Sequence, residues 1–442
     1  MNEQLFKLSP SNVTVEAGLS TGPVSVESYI SPEHYAREVE AGLSTGPVSV
    51  ESYISPEHYA REKEQVFRRA WLLLGREEEI PNAGDFVTRD IDVCDANVLI
   101  TRSKGGHVRA FHNVCSHRGS HVVLKPSGNA GKFVCPYHNW TYKNDGSLVG
   151  VPDESSFFNF DKKNCGLTPI AAEVWEGWVF INLSPEPQVS LREFLGPLAD
   201  LMAGIPYPAA GHPIVIQADI DANWKAICDA GVETYHIPVL HAETIGTTYA
   251  SPENPFAHML DARMLGAHRL ISTYGNANYA AKPSNKVERL GQDTHSTASV
   301  TSCSNDPALV SFLEHPAVNP TKSTSWAQDV YHVFPHVHID FGPGGFWTHS
   351  FWPTSHKTTR YEARFYAPPA ATVAERFRQE LFISRIVEVV LEDLTIVART
   401  QKGMQSRAKG FMYLQENEVA IRHLHSTLDK WVKASTVREA LA

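Results

Sequence analysis

Between Asp85 and Leu183 apolar residues come in short runs broken by Gly, Pro and Asn, a spacing that predicts strands rather than helices. FVTRDIDV, NVLITR, HVRAFHNV, GKFVCPYHNWTY and GWVFINL are runs of this kind, and together they predict one all-β module. SPEPQVS (184–190) follows as a linker, ahead of a helical LREFLGPLADLM. From about Pro213 to Tyr366 the pattern mixes: IVIQADI, TSWAQDVY and YHVFPHVHIDF predict strands, whereas ANWKAICDAGVETYH predicts a helix. Two further stretches, about 371–406 and 416–440, predict closing helices. The expected class is α+β, an all-β domain followed by a domain with helices packed on an antiparallel sheet. The expected boundaries are an arm at 1–38, an N-terminal helix and β domain at 39–184, and the mixed domain at 185–442.

The segment VEAGLSTGPVSVESYISPEHYARE fills 15–38 and recurs unchanged at 39–62. Repeat architectures diverge between units and need about three of them before stacking buries a core. Two identical copies read instead as a recent tandem duplication or an artefact of the sequence. Ser55 is placed to cap a helix, with Pro56 in its first turn and Glu57 at the favourable end of the helix dipole. Only the second copy runs on into Val66, Phe67 and Trp71. The expectation is that 39–62 docks and that 1–38 is a loose arm.

Composition narrows the function classes. The 442 residues, 42% hydrophobic and 20% charged, suffice for two or three domains with substantial cores. A net charge of −10 argues against a nucleic-acid partner. No apolar run approaches the roughly 18 residues of a membrane span. The opening MNEQLFKLSPSN has neither a basic nor an apolar leader region, and six Cys in so long a chain suit a reducing compartment. A cytoplasmic enzyme is the expectation.

Cys115-Ser-His117 lies in the β module, and Cys135-Pro-Tyr-His138 follows after seventeen intervening residues. Each half sets one thiolate and one imidazole on a tight loop, so the pair can offer two sulfurs to one iron and two nitrogens to another. A [2Fe–2S] cluster with two His ligands needs that set. The competing reading is a structural Cys₂His₂ zinc site, but those usually pair Cys with Cys and His with His. The box Cys-x-His and Cys-x-x-His resembles that of the Rieske proteins. One departure is Asn139, where the oxygenase branch commonly carries Gly before Trp. Cys94, Cys165, Cys228 and Cys303 lack such spacing and read as packing residues.

A second informative stretch is Asn223-Trp-Lys-Ala-Ile-Cys-Asp229-Ala-Gly-Val-Glu233-Thr-Tyr-His236-Ile-Pro-Val-Leu-His241. Glu233 and His236 are three apart and share a face of the predicted helix. Pro238 should end or kink that helix and let His241 swing back towards His236. Two His with a carboxylate from elsewhere form a facial triad for non-haem iron(II), with positions left open for oxygen. The helix 371–406 supplies candidates. Asp393 shares its stripe with Val389, Val390, Ile396 and Val397, whereas Glu392 lies with Glu388 and Thr395 on a face that reads as solvated. A lone carboxylate on an apolar stripe needs a partner or a metal, which points to Asp393.

These segments, with the Cys/His box upstream, resemble the catalytic alpha subunit of Rieske non-haem iron oxygenases from about residue 50 to the C-terminus. The resemblance implies a [2Fe–2S] cluster and a mononuclear Fe(II). It also implies a homotrimer in which the cluster of one subunit lies near the iron of the next. Carried onto this chain, Glu233 would bridge His138 to the neighbour's His236, although many relatives have Asp there. Asn223 and Asp229 fall near the iron, where they would orient ligands and water. A reductase or ferredoxin would supply electrons, and O₂ and a small aromatic substrate would meet at the iron. Between Thr101 and Asp145, Arg102, Lys104, Arg109, Arg118, Lys125, Lys132 and Lys143 face a single acid, Asp145. Such a basic stretch suits an acidic donor. The absence of an Arg cluster near His236 and His241 favours a neutral aromatic substrate, oxidised by monooxygenation (hydroxylation or N- or O-dealkylation) or by cis-dihydroxylation. The runs FGPGGFWTHSFW and YHVFPHVHIDF read as pocket walls or as core strands. A Rieske electron carrier without oxygen chemistry leaves most of the chain unexplained, and a zinc-stabilised binding protein is the remaining rival.

Overall fold

A computed structural model describes residues 43, 46–208, 211–293 and 307–442; the expected arm, 1–38, lies outside them. The second copy of the duplicated segment forms two short helices, Glu51–Ile54 and Pro56–Glu62. Ser55 caps the latter, its Oγ accepting the His58 N–H at 3.0 Å. The chain then makes a π-type turn, Lys63–Phe67, that drops Val66 and Phe67 into the core. Fully buried Glu62 accepts from Lys225 Nζ at 2.8 and 3.0 Å and from the Trp224 indole at 3.1 Å. A carboxylate so placed persists only with such partners, so this pair fastens the N-terminal helix to the later domain.

Seven antiparallel strands form the first sheet, in the order Leu72–Arg76, Trp178–Asn182, Pro169–Trp175, Val108–His112, Ala96–Arg102, Asp85–Ile91, Ser127–Asn129. Lys132–Val134, Thr141–Lys143 and Leu148–Gly150 make a small sheet beside it. The strand Leu72–Arg76 precedes the expected module. All five of its residues are buried, so it shows none of the alternation that betrays a half-buried strand. The second sheet is also antiparallel and seven-stranded: Ile214–Ile220, Thr358–Phe365, Gly345–Ser355, Val337–Gly342, Trp326–Val333, His268–Tyr274, Asp261–Leu265. No helix among the described residues is long and apolar enough to cross a membrane.

The helix expected over 222–236 is shorter, Trp224–Ala230. It stops where the chain passes the His338 ring so closely that a Cβ on Gly231 would lie 2.7 Å from it. A second short helix, Ile237–Leu240, carries Pro238 in its first turn. Pro238 therefore opens a helix instead of ending one, as its fixed φ and missing N–H allow. A 33-residue helix, Val373–Gln405, starts with a capping box of Thr372 and Glu375. Two closing helices, Val419–Lys433 and Val437–Leu441, replace the single expected one, because Ala434 turns extended. One large core, including Trp71, Trp178, Trp224 and Trp431, joins both sheets. A smaller core of Phe86, Phe111, Trp140 and Tyr142 lies under the Cys/His loops.

Candidate cluster loops and active site

The two Cys/His loops are copies of one turn. Cys115 N–H donates to Ser120 O and Cys135 N–H to Trp140 O, both at 2.8 Å; Gly119 and Asn139 N–H return to the two cysteine carbonyls at 3.0 Å. Gly119 and Asn139 occupy equivalent places with φ of +78° and +59°. Asn enters the left-handed region more readily than most side chains, so it holds this turn where Gly is expected. The turns set His117 Nδ1 and His138 Nδ1 face to face at 3.1 Å, with both cysteines buried behind them. Burial raises the Cys115 thiol pKa, and Cys135 beside it raises it further. Tyr142 Oη accepts the Ser116 N–H at 3.0 Å and stands 3.2 Å from Cys115 Sγ.

His236 and His241 meet at the ends of the short helix Ile237–Leu240, their Nε2 atoms 3.2 Å apart. From the long helix, Asp393 Oδ1 lies 3.2 Å from His241 Nε2 and 3.5 Å from His236 Nε2. The far nitrogens are both held by carboxylates, His236 Nδ1 by Glu233 and His241 Nδ1 by Glu392 at 2.6 Å. Each imidazole thus donates through Nδ1 and presents a lone pair at Nε2. Asp393 Oδ1 is buried without a hydrogen-bond partner. With both imidazoles neutral, three acceptors converge, an arrangement that a metal cation completes in place of a proton.

These atoms open on a cavity of about 340 Å³. Its walls include Tyr249, Tyr279, Trp326, Trp347, Phe351 and Phe382, with Val389 and Val390 one turn before Asp393. Segments 331–341 and 341–352 therefore take both roles left open for them: Phe341, Phe346, Trp347, Phe351 and Trp352 are core, and Trp347 and Phe351 also line the cavity with Asp340. Besides Asp393 and Glu233, Asp340 lines the cavity, and Glu288 lies behind its wall residue Tyr279. Glu288 is neutralised by Arg385 and takes the Tyr279 hydroxyl. Asp340 is 5% exposed and its Oδ1 has no partner. Its Oδ2 lies 3.4 Å from His349 Nε2, but that nitrogen already accepts the Trp347 indole N–H at 3.0 Å and offers a lone pair, not a proton.

Family comparison agrees with both halves of this geometry. Residues 70–162 match the Rieske [2Fe-2S] domain, and residues 210–434, half of the chain, match the ring hydroxylating alpha subunit (catalytic domain). The chain belongs to the ring-hydroxylating oxygenase alpha-subunit family. Among curated relatives, it is 37% identical over 186 residues to the glycine betaine monooxygenase oxygenase subunit of Pseudomonas aeruginosa, covering 42% of each chain. It is 36% identical over 203 residues to the N,N-dimethyl phenylurea N-demethylase subunit alpha of a Sphingobium strain, covering 43% of this chain and 42% of that one. The chain thus matches less than half the length of these relatives. A quaternary ammonium Rieske monooxygenase superposes with a TM-score of 0.67 at 21% identity, over 86% of this chain and 95% of that one. Naphthalene 1,2-dioxygenase from Rhodococcus gives 0.70 at 21%, over 90% and 97%.

The family's cofactors are a [2Fe–2S] cluster and a mononuclear iron, and the donor atoms suit both. Facing nitrogens of His117 and His138 with the thiols of Cys115 and Cys135 match a His₂Cys₂ cluster set. The orphaned Oδ1 of Asp393 and the two Nε2 lone pairs match a facial triad. Three other side chains take partners that the sequence did not show. Asn223 is a helix cap: its Oδ1 accepts the Lys225 N–H at 3.0 Å and its Nδ2 donates to His356 O at 2.8 Å, so neither end is free to orient a metal ligand. Asp229 accepts from Tyr53 Oη, which also lies 2.6 Å from His425 Nε2, and so serves a neighbouring polar network. Glu392 is not simply solvated, for it takes His241 Nδ1 and the Thr244 hydroxyl, each at 2.6 Å. Its sequence neighbours gave only a helix phase, and the phase does not show that a Glu side chain can reach back across one position. Asp340, Tyr53 and His425 carried no spacing signal.

Proposed function

We propose that this chain is the terminal subunit of a multicomponent oxygenase that removes an N-methyl group from a small cationic amine by monooxygenation. The observation that carries this reading is Asp340, a buried carboxylate without a counter-charge in an aromatic-walled cavity beside the triad. A quaternary or tertiary ammonium would pair with Asp340 and lie against the faces of Trp326, Trp347 and Tyr249, which attract cations. The neutral aromatic substrate expected from the sequence leaves Asp340 unpaired. The name of the glycine betaine relative lends support to an ammonium head group, and that of the dimethyl phenylurea relative to N-demethylation alone.

In this reading Asp340 and the aromatic walls fix the head group so that one N-methyl carbon faces His236, His241 and Asp393. Glu233 and Glu392 hold the two imidazoles in the tautomer that presents Nε2. When bound, the cluster and the mononuclear iron supply electron transfer and oxygen activation. The balance is one N-methyl group, O₂, two electrons and two protons giving the demethylated amine, formaldehyde and water. The electrons come from a ferredoxin or reductase. In the same reading Glu233, which holds His236, would bridge to His138 of a neighbouring subunit in a homotrimer.

The test is turnover with a reductase, O₂ and three substrate types: N-methylated ammonium compounds, neutral N-methyl arenes and plain arenes. Formaldehyde from the first type is expected, with Asp340→Asn raising KM for cations at least tenfold and leaving neutral compounds unchanged. A cis-diol from an arene as the sole product would overturn the reading in favour of dihydroxylation.

A further inference from the structure

Outside both iron sites, a third set of ligating side chains converges in the core. Cys228 Sγ lies 3.3 Å from His332 Nδ1 and 3.4 Å from His338 Nε2, and those two nitrogens are 3.2 Å apart. Cys228 is on the helix Trp224–Ala230, while His332 and His338 are direct partners across two paired strands. Exposure is 0%, 0% and 1%. From these residues we propose a second metal site, built by Cys228, His332 and His338, for one thiophilic cation, zinc(II) or copper(I).

Three observations support it. The edges fit: zinc bonds of about 2.3 Å to sulfur and 2.0–2.1 Å to nitrogen put tetrahedral ligands about 3.4 Å apart for two nitrogens and about 3.6 Å for nitrogen and sulfur. The contacts seen are within about 0.3 Å of these. The proton count fits as well. His332 Nε2 donates to Pro335 O at 2.8 Å, so its Nδ1 carries a lone pair. The thiol and the His338 ring then have at most two protons for three mutual contacts, so one contact lacks a hydrogen bond of its own. A backbone carbonyl on the far nitrogen is also the usual support of a metal-bound imidazole.

The charge balance agrees. Burial pushes both imidazoles well below their ordinary pKa, so both are neutral. Burial, and then Asp229 next to it, push the Cys228 thiol up against the pull of Arg269 and Lys225, so without a metal the thiol keeps its proton and a bound cation must displace it. With the thiolate formed, Cys228, Asp229 and Arg269 sum to one negative charge, and a monovalent or divalent cation offsets it. His338 also lines the cavity, which gives the cation a way in. The site stands independently of the substrate reading, and it ties the helix leading to Glu233 and His236 to the sheet beneath.

The test uses the iron-loaded enzyme, given zinc(II) in one arm and copper(I) under anaerobic reducing conditions in the other, then desalted. Wild type and Asp393→Ala are each expected to keep one zinc or copper per chain that Cys228→Ser loses. The metal's absorption edge should show one sulfur neighbour at about 2.3 Å with nitrogens at about 2.0 Å. His332→Gln, which keeps the thiol, should lose the metal too and guards against a folding defect in the serine variant. Equal retention in Cys228→Ser, or a shell of nitrogen and oxygen alone, would overturn the proposal.

Discussion

At the scale of single residues, the triad depends on side chains that touch no metal. Glu392 fixes the His241 ring through Nδ1, so Glu392→Ala should leave the cluster spectrum intact while iron retention or turnover falls about 10- to 100-fold. Equal activity in the variant would show that Glu392 is a bystander. For His241, burial works against protonation, but the carboxylates of Asp393 and Glu392 outweigh it and raise the pKa. In the iron-free protein a raised histidine pKa stabilises the fold at pH below about 6.5, and that contribution is lost as pH rises through the folded value. Iron must displace the same proton. Fe(II) affinity should therefore fall as pH drops through the raised value, measurable by anaerobic titration between pH 5 and 8. Asp393 was legible because a carboxylate on an apolar stripe is costly unless used. Glu392 was not, since nothing in its sequence surroundings distinguishes a solvated acid from one folded back onto His241.

Among elements, the informative unit is the junction between the N-terminal helix and Trp224–Ala230. Glu62 is wholly buried; burial alone would raise its pKa, but Lys225 and His58 prevail and lower it. Its contribution to stability is thus present above the unfolded carboxylate pKa and lost as pH falls through the folded value. Glu62→Gln leaves Lys225 buried without a counter-charge, and a loss of about 3–5 kcal/mol is expected in denaturant unfolding. A change under about 1 kcal/mol would mean that water reaches the pair. The sequence marked the cap at Ser55 and the two copies of the Cys/His turn, because both depend on local chemistry. It misjudged the helix 222–236, because the stop at Gly231 depends on His338, more than a hundred residues away.

For the whole molecule, the antiparallel sheets, the long helix and the two-site plan were legible from short motifs on a patterned chain. The charge surface needed the fold. Of the seven basic residues between Thr101 and Asp145, Arg102 is spent on Glu77 at 3.0 Å and on the backbone, whereas the other six are exposed. Reduction by an acidic ferredoxin should slow as ionic strength rises past about 0.1 M, where the screening length is about 10 Å. A rate indifferent to salt would remove this docking face. The central claim is one cluster and one mononuclear iron per chain, the latter held by His236, His241 and Asp393. Iron and acid-labile sulfide in anaerobically purified wild type and Asp393→Ala test it most directly. About three irons and two sulfides per chain are expected in the wild type, falling to about two irons and two sulfides in the variant. Three irons retained in Asp393→Ala, or protein without sulfide, would contradict it.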